Sequence, residues 1–256
     1  MYLRKATTRD LHQLANITVT SLKDDPAFDF MWRYRRSYPE DNFFFWQQTL
    51  QTWLYDKRKT FIVMVLDAAD KGPDSKLEIL PDQIVSYAVW AREGKSKAAR
   101  KRWAGKNTWA NLIDATTTSV QVWSTARKYQ RRDADFARLE ALDAMSVAVE
   151  ESFWEDLPER WLLDLMVTDV HFRRRGAATA LLKWGMEQAD EEGIVCKVEA
   201  SPLGRLLYKS QGFVDLGSFV VSAAGQEESV VIWAMRRAVQ AGSYSEGRHL
   251  NLCQGI

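Results

Sequence analysis

The hydrophobic pattern is clearest between residues 162 and 213. An apolar strand covers residues 163–167, a basic turn follows it, and hydrophobic residues then recur at helical spacing. Gly193 ends that helix, a second apolar strand covers residues 195–200, and a short helix begins at Pro202 and ends at Gly212. The pattern therefore predicts a strand, a turn, a helix, a second strand and a short helix, in that order. The recurring helical positions are Leu181, Leu182, Met186 and Ala189.

The remaining hydrophobic runs predict the rest of one mixed sheet. Thr7, with Asp10 three residues later, predicts a capping box before a helix that carries Leu11, Leu14 and Ile17. Two β-branched and aromatic runs flank a loop at residues 71–74, and we expect them to pair as antiparallel strands. A final hairpin is predicted to turn at residues 224–226. The predicted strands of these regions are Tyr2–Ala6, Phe61–Leu66, Ile84–Trp90, Ser218–Ser222 and Ser229–Met235.

A long segment separates the strand that ends near Trp90 from the strand that starts at Trp161. About seventy residues are too many for a simple loop in a compact domain. We therefore predict a helical insertion at about residues 93–158, inside one domain of residues 1–237, followed by a tail of residues 238–256. Its apolar anchors are Trp103, Trp109, Val122 and Trp123, and its helical positions are Phe136, Leu139, Leu142, Met145 and Val149.

Composition narrows the class of protein. The 256 residues are 46% hydrophobic, which favours one large core. A net charge of +1 gives no general electrostatic reason to bind nucleic acid or a membrane surface. The sequence shows no apolar run of membrane-span length and no signal-peptide core, so we expect a cytoplasmic protein. The two cysteines do not indicate a disulfide framework, and the histidines lack metal-ligand spacing, so no metal is expected.

The turn before the long helix has the composition of an anion site. Three arginines precede Gly176, Ala177 and Ala178, where backbone N–H groups and the positive end of the helix dipole face outward. Small residues let a phosphate approach the backbone, and guanidinium groups add paired donors. A diphosphate is predicted to bind here, although a solvated helix start explains these residues equally well on their own. The three arginines are Arg173, Arg174 and Arg175.

This turn, together with a second motif, resembles the coenzyme A half of the GNAT superfamily of N-acetyltransferases. Residues 173–178 match the family's pyrophosphate motif, and residues 199–213 match the strand, short helix and "LY…GF" ending of its acetyl-CoA site. Many members have proline where Val170 stands. The long insertion is also similar to GNAT-domain proteins of filamentous fungi. The resemblance implies an α/β fold with a mixed sheet, elaborated by a long insertion between the third and fourth strands.

The resemblance also implies where acetyl-CoA binds. Backbone groups of Leu165, Met166 and Val167 would hold the pantetheine arm, and the N–H of Val167 would polarise the thioester carbonyl. The expected cofactor-binding set also contains Arg173, Arg174, Arg175, Gly176, Ala177, Ala178, Ser201, Arg205 and Lys209.

A basic cluster at residues 95–106 surrounds Trp103. In a nearly neutral chain, we expect a solvated helical face rather than a nucleic-acid surface. A more specific alternative is that the cluster approaches the 3′-phosphate of coenzyme A or shapes the substrate entrance.

Catalysis of acetyl transfer to an amine needs a base that deprotonates the amine and a proton donor for the leaving sulfur. The resemblance places Tyr208 next to the thioester sulfur, as general acid. Full proton transfer from a tyrosine to a thiolate is uphill by about 2 kcal/mol, so a shared hydrogen bond would be enough. A carboxylate or a relayed water is expected as the base, and Asp164 and Glu199, on adjoining parallel strands, are the candidate carboxylates. The alternative for each is an ion pair with a buried arginine or a hydrogen bond at the end of the strand. Asp169 is expected to orient the arginines or to cap the next helix.

The acceptor is predicted from the aromatic residues at positions 28–53, because the resemblance places that region along the acceptor groove. Aromatic walls favour a small hydrophobic amine over a flexible lysine tail, for which an acidic groove is expected. The sequence therefore favours an acetyl-CoA-dependent N-acetyltransferase for such an amine. A protein acetyltransferase for lysine or N-termini and a non-catalytic acyl-CoA-binding protein are the alternatives, and the oligomeric state stays open.

Overall fold

The computed structural model describes residues 1–67, 70, 80, 82–104 and 129–239. Its seven strands form one mixed sheet in the order β1-β2-β3-β4-β5-β7-β6. The β4–β5 pair is parallel, and the other neighbouring pairs of the described sheet are antiparallel. The predicted mixed α/β fold is therefore confirmed. The strands are β1 (Tyr2–Lys5), β2 (Lys59–Val65), β3 (Ile84–Glu93), β4 (Arg160–Thr168), β5 (Val195–Ala200), β6 (Val214–Ser222) and β7 (Ser229–Arg237).

Helices cover both faces of the sheet. The predicted capping box is present, since the backbone N–H of Thr7 donates to the Asp10 carboxylate at 2.7 Å, and a 3-10 turn at Thr8–Asp10 leads directly into α1. No helix in the described ranges is both long and apolar enough to span a membrane. The helices are α1 (Leu11–Ser21), α2 (Pro26–Met31), α3 (Pro39–Tyr55), α4 (Lys97–Ala104), α5 (Phe136–Phe153), α6 (Ala177–Glu192) and α7 (Pro202–Ser210).

The hydrophobic core has two main parts, one on each face of the sheet. Helices α1 and α3 pack on one face, and α6 and α7 pack on the other. Helix α6 lies unusually close to the sheet because Gly185 has no side chain: a Cβ at that position would lie 2.1 Å from the Trp90 ring. The Trp90 indole also donates to the Leu181 carbonyl at 3.3 Å. This contact fixes α6, and with it the turn at its N-terminus, against the centre of the sheet.

Strand β4 contains a bulge at Asp164. In the β3–β4 ladder Val89 lies opposite Leu165 and Trp90 lies opposite Leu163, so Asp164 is an extra residue. The parallel β4–β5 ladder ends at the pair Leu163–Val198, whereas β5 stays paired with β7 as far as Ala200. The two parallel strands therefore separate beyond Leu163. The gap exposes the β5-facing backbone of residues 164–168.

The insertion is helical where it is described, in α4 and α5. Helix α5 packs through Leu142 and Met145 against β6 and β7, and so it becomes part of the main domain. The predicted final hairpin is also confirmed, with the Gln226 N–H donating to the Ala223 carbonyl at 3.0 Å. Lys106, Trp109, Val122, Trp123 and the tail from residue 240 onward lie outside the described residues.

The basic cluster occupies α4. Lys97, Arg100 and Lys101 are exposed, as expected for a solvated face. Arg102 donates to Gln188 at 2.6 Å and pairs with Glu192 at 3.4 Å, at the C-terminal end of α6. The basic turn begins the opposite end of this 16-residue helix, about 24 Å away. The described residues of the cluster therefore lie far from a phosphate bound at the turn, and the alternative that they shape the substrate entrance stays a prediction.

Candidate active site

The turn after β4 is built from local hydrogen bonds. Asp169 accepts the N–H of His171 at 2.9 Å and so caps a 3-10 turn at Val170–Phe172. This is the capping role expected for Asp169. Val170 occupies the position where many family members have proline, and the side-chain cap at Asp169 holds the turn without it. Phe172 is buried and anchors the turn to the core.

The backbone after this 3-10 turn leads into α6, whose first N–H groups have no side-chain cap. Arg174 and Gly176 have φ values of +64° and +83°, in the left-handed region. Gly176 is the N-cap of α6 and contributes no side-chain cap, so the first N–H groups of the helix are left for an outside acceptor. A Cβ at Gly176 would find no atom within 4 Å. The arrangement leaves room for an anion directly over the N-terminus of α6.

The three arginines of the turn have different surroundings. Arg173 donates to the Asp24 carboxylate at 2.6 Å and also to the Ser21 carbonyl, so it ties the turn to the end of α1. The Arg173 hydrogen bonds lower the pKa of Asp24. Arg174 lines the cavity beside the turn together with Arg173, whereas the Arg175 guanidinium lies 5.6 Å from the Phe172 ring centre. Arg174 is therefore the member of the three best placed to meet a bound anion.

A cavity of about 550 Å³ extends from this turn to α7, and we call it the turn cavity. One wall is the end of β4 at residues 166–168, exposed by the separation of β4 from β5. The opposite wall is α7, through Leu203, Gly204, Leu207 and Tyr208. Of the expected cofactor-binding residues, the lining contains Met166, Val167, Arg173, Arg174, Gly176, Ala177, Ala178 and Ser201.

Four expected cofactor-binding residues lie elsewhere. Leu165 lines the neighbouring cavity, and Arg175 is outside both linings. Arg205 and Lys209 point to the opposite side of α7, where both pair with Asp215, at 2.6 and 2.8 Å. These hydrogen bonds lower the pKa of Asp215 to about 2. The structure therefore does not bring Arg205 and Lys209 to the turn cavity, because a helix of this length presents them on another face.

A second cavity, of about 350 Å³, adjoins the first, and we call it the aromatic cavity. Phe28, Trp32 and Trp46 form a buried cluster along it, with ring centres 4.6 to 6.0 Å apart. Helix α5 of the insertion closes another side through Leu142 and Met145. The sequence pattern showed that α5 is a helix but not that it would reach this site. Four carboxylates complete the lining: Asp25, Asp143, Asp164 and Glu199.

Tyr208 lies where the two cavities meet, and it lines both. Burial raises the pKa of its hydroxyl, and the negative charge of Asp25 raises it further. The ring packs over Gly204, where a Cβ would lie 2.8 Å from the ring and 3.3 Å from the hydroxyl oxygen. Glycine at this position therefore leaves the room that the Tyr208 ring occupies.

Asp164 and Glu199 both line the aromatic cavity, and both are ion-paired. The bulged Asp164 pairs with Lys59, whose ammonium lies 4.4 Å from the Trp53 ring centre. Glu199 pairs with Lys197 at 3.4 Å. Burial raises the pKa of each carboxyl, and the neighbouring lysine opposes that rise. The structure thus brings both residues to the expected place, where each is ion-paired with a lysine rather than with the buried arginine of the alternative.

Sequence reasoning missed Asp25. Its carboxylate accepts the N–H groups of Ala27 and Phe28 at 2.8 and 3.3 Å, so it caps α2. The other oxygen accepts the Ser201 hydroxyl at 2.7 Å. Aspartate followed by Pro26 is a typical helix start, so the cap was visible in the sequence. Its contact with Ser201, 176 residues later, was not.

Metal ligation has no support in the described part of the chain, where no cluster of three or more His, Cys, Asp or Glu residues is arranged to hold an ion. Cys196 is buried in β5 with a free thiol. Cys253 and His249 lie outside the described residues.

Known proteins share the fold and part of the sequence of this chain. No protein-family model matches the chain. An acetyltransferase of Stachybotrys chartarum is 26% identical over 229 residues, which cover 88% of this chain and 86% of that protein. Among solved structures, histone acetyltransferase HPA2 and related acetyltransferase from Corynebacterium glutamicum aligns with a TM-score of 0.54 and 17% identity, over 94% of this chain and 97% of its own. An acetyltransferase of the GNAT family from Streptococcus pneumoniae aligns with a TM-score of 0.48 and 12% identity, over 93% of this chain and 99% of its own.

The Corynebacterium structure shows the shared fold, and the Stachybotrys relative carries the likeness in sequence over most of the chain. Both comparisons agree with the resemblance predicted from the two motifs at residues 173–178 and 199–213. That resemblance is confirmed: the chain shares its fold with the Corynebacterium structure and is similar in sequence, over most of its length, to a fungal acetyltransferase.

Proposed function

We propose that the chain transfers an acetyl group from acetyl-CoA directly to the primary amine of a small, hydrophobic molecule. The observation that carries this proposal is the meeting of two unlike cavities at Tyr208. One begins at a helix N-terminus with open N–H donors, and the other is lined by aromatic and aliphatic side chains. A phosphorylated donor fits the first, and an apolar acceptor fits the second.

The turn cavity fits acetyl-CoA on three structural grounds. The first N–H groups of α6 and Arg174 offer donors for a diphosphate, and the space over Gly176 is open. The exposed edge of β4 at Met166 and Val167 offers strand-like hydrogen bonds to an amide-containing arm. Acetyl-CoA, when bound, supplies an activated acetyl thioester.

Tyr208 is the proposed donor to the leaving sulfur. Because its pKa is raised by burial, the hydroxyl stays protonated throughout the neutral range. The same shift makes complete proton transfer costlier than the about 2 kcal/mol expected from ordinary tyrosine and thiol pKa values. Tyr208 therefore acts chiefly through a hydrogen bond that strengthens as negative charge develops on sulfur.

The aromatic cavity supports a small acceptor. Its volume of about 350 Å³ is near the lower end of the range for ligand pockets, and α5 adds a wall of Leu142 and Met145. Phe28, Trp32 and Trp46 favour an apolar or aromatic body attached to the amine. The carboxylates at the same cavity favour the protonated amine itself.

A protein acetyltransferase is the second candidate, because four carboxylates line the acceptor side and an acidic groove suits a lysine side chain. It requires room for the peptide backbone on both sides of the reacting side chain. A non-catalytic acyl-CoA-binding protein would bind acetyl-CoA without releasing thiol to any acceptor.

An acceptor screen that measures free thiol distinguishes these functions. 2-Phenylethylamine, spermidine and a lysine-containing peptide are offered with acetyl-CoA at fixed concentration. The proposal expects the highest kcat/KM with 2-phenylethylamine. Preference for the peptide would favour the second candidate. No thiol release with any amine, although acetyl-CoA raises the melting temperature and NAD does not, would favour a binding protein.

A further inference from the structure

Five residues line both cavities: Leu22, Asp25, Met166, Ser201 and Tyr208. An acetyl group passing from one cavity to the other must cross at these residues. Tyr208 supplies a hydroxyl at this junction, and Asp25 supplies a carboxylate whose charge reaches Tyr208. Asp25 is only 7% exposed, and carboxylates that deeply buried are normally paired with a cation.

We propose that Asp25 binds the acceptor's ammonium group at the junction of the two cavities and takes its first proton. This inference rests on the proposed function and assigns the base of that reaction. It places the base on the loop between α1 and α2, rather than at Asp164 or Glu199 on the sheet.

The other carboxylates of the aromatic cavity are less suited to this role. Asp164 is paired with Lys59, and Glu199 is paired with Lys197. Asp143 is exposed on α5 and lines only the aromatic cavity. Asp25 is held by neutral donors, and no ion pair within 4.0 Å joins it to a cation of the described chain. Arg173 interacts with Asp25 electrostatically but forms its ion pair with Asp24. A buried carboxylate of this kind is ready for a cation from outside.

The hydrogen bonds of Asp25 also leave space for that cation. A carboxylate has about four acceptor positions. Two backbone N–H groups of α2 occupy one oxygen, and the Ser201 hydroxyl occupies one position of the other. Ser201 is in turn the N-cap of α7 and accepts the Gly204 N–H at 3.4 Å. Asp25 is therefore fixed between α2 and α7 with one acceptor position left for an ammonium N–H.

The proton balance of the transfer uses both junction residues. Asp25 takes one proton from the ammonium, which frees the nitrogen lone pair to form the N–C bond. The C–S bond breaks, and its electron pair stays on sulfur, which receives the proton that Tyr208 shares. The second proton lost by the nitrogen restores the Tyr208 hydroxyl, and protonated Asp25 releases its proton to solvent. The sum is one amide, one thiol and one proton.

The two residues also act on each other in a useful order. Burial raises the pKa of Tyr208, and the charge of Asp25 raises it further. Once Asp25 holds the acceptor's proton, that charge is neutralised and the pKa of Tyr208 falls. Tyr208 therefore becomes a better donor at the step in which sulfur needs one.

Binding of a matched pair of probes tests Asp25 without relying on turnover. 2-Phenylethylamine is an ammonium ion at pH 7.5, and 2-phenylethanol is its neutral analogue. With coenzyme A present, the wild-type chain should bind the amine at least about tenfold more tightly than the alcohol, as a desolvated charge-assisted hydrogen bond requires. Asp25→Asn should reduce that preference to within about threefold and by more than Glu199→Gln does, whereas Asp156→Asn, at an exposed carboxylate outside both cavities, should leave it unchanged.

Asp25→Asn is a suitable variant because asparagine caps helices as well as aspartate does. Its kcat/KM for the amine should fall about 10²-fold or more, while acetyl-CoA still raises its melting temperature as in the wild type. Asp25→Ser, a second capping residue without charge, should behave in the same way. Ser201→Ala, which frees one oxygen of Asp25, should retain the amine preference and lose less than tenfold in kcat/KM.

Three outcomes would overturn the assignment. The preference for the amine could persist in both Asp25 variants, or it could disappear in Glu199→Gln instead. If the wild-type chain binds neither probe nor acetylates the amine, the small hydrophobic acceptor of the proposed function is wrong, and Asp25 loses its assigned ligand with it. The first two results leave wild-type acetylation intact, so the two failures are distinguishable.

Discussion

The turn cavity and the aromatic cavity share Tyr208 but are built in different ways. The turn cavity comes almost entirely from residues 166–208, in which strand, turn and helix follow one another along the chain. The aromatic cavity is assembled from α2, α3, α5, β4, β5 and β7. The first depends mainly on backbone groups, whose positions follow from local motifs. The second depends on side chains brought together by the whole fold. The comparison explains how a conserved fold can keep its donor while it changes its acceptor.

The largest expected effect is at the residue that both cavities share. Tyr208→Phe keeps the ring and its packing over Gly204 but removes the hydroxyl. The value of kcat should fall roughly 10²-fold or more, while acetyl-CoA affinity stays within a few-fold. Tyr34→Phe, at an exposed position, is the matched control. Unchanged kcat would remove Tyr208 as donor, and equal loss of affinity would show that the hydroxyl is structural.

The second largest effect is expected for a substitution that changes only the turn cavity. Gly176 and Gly193 both have positive φ, at +83° and +67°, and a Cβ at either meets no atom within 4 Å. Valine at either position should therefore cause similar backbone strain, of about 1–2 kcal/mol. Gly176→Val should also abolish the rise in melting temperature that acetyl-CoA causes, because its side chain fills the space over the helix start. Gly193→Val should keep that rise, and loss in both variants would contradict a site at Gly176.

A smaller effect should affect the aromatic cavity alone. Met145→Ala shortens a side chain of its α5 wall. We expect kcat/KM for 2-phenylethylamine to fall about tenfold, a typical result of removing methylene-sized contacts from an apolar pocket. Acetyl-CoA affinity should not change. Val147→Ala, on the exposed side of the same helix, is the control. If both variants behave like the wild type, α5 does not contact the acceptor.

The smallest effect should be at Arg205, which lies outside both cavities. Arg205→Gln should leave acetyl-CoA affinity within about twofold, as expected for a surface ion pair rather than a phosphate contact. The variant should be slightly less stable at neutral pH. Because the pairing lowers the pKa of Asp215 to about 2, this stability difference should be full above the unfolded carboxyl pKa and vanish as pH falls from about 4 toward 2. Thermal melts across that range measure it, and a large loss of acetyl-CoA affinity would return Arg205 to the cofactor site.

The difference between local motifs and long-range contacts also explains what the sequence could predict. The pattern at residues 162–213 predicted the turn, Gly176 and Tyr208, since each lies inside a local motif. Asp25 and Met145 were out of reach because their roles come from contacts with residues far away in the chain. Arg205 and Lys209 show the converse: they lie near Tyr208 in sequence, but the structure places both of them beside Asp215.

The bulge at Asp164 makes strand β4 sensitive to the deletion of a single residue. Before the bulge, Trp161 and Leu163 belong to the core beneath α6, and after it Val167 belongs to the core beneath α1 and α3. One extra residue has reversed the phase of the pleat. Deleting residue 164 should therefore move the side chains of residues 165–168 to the opposite face of the sheet, and destroy both cavities at once. Strand β4 should tolerate many substitutions there, but not the loss of a single codon.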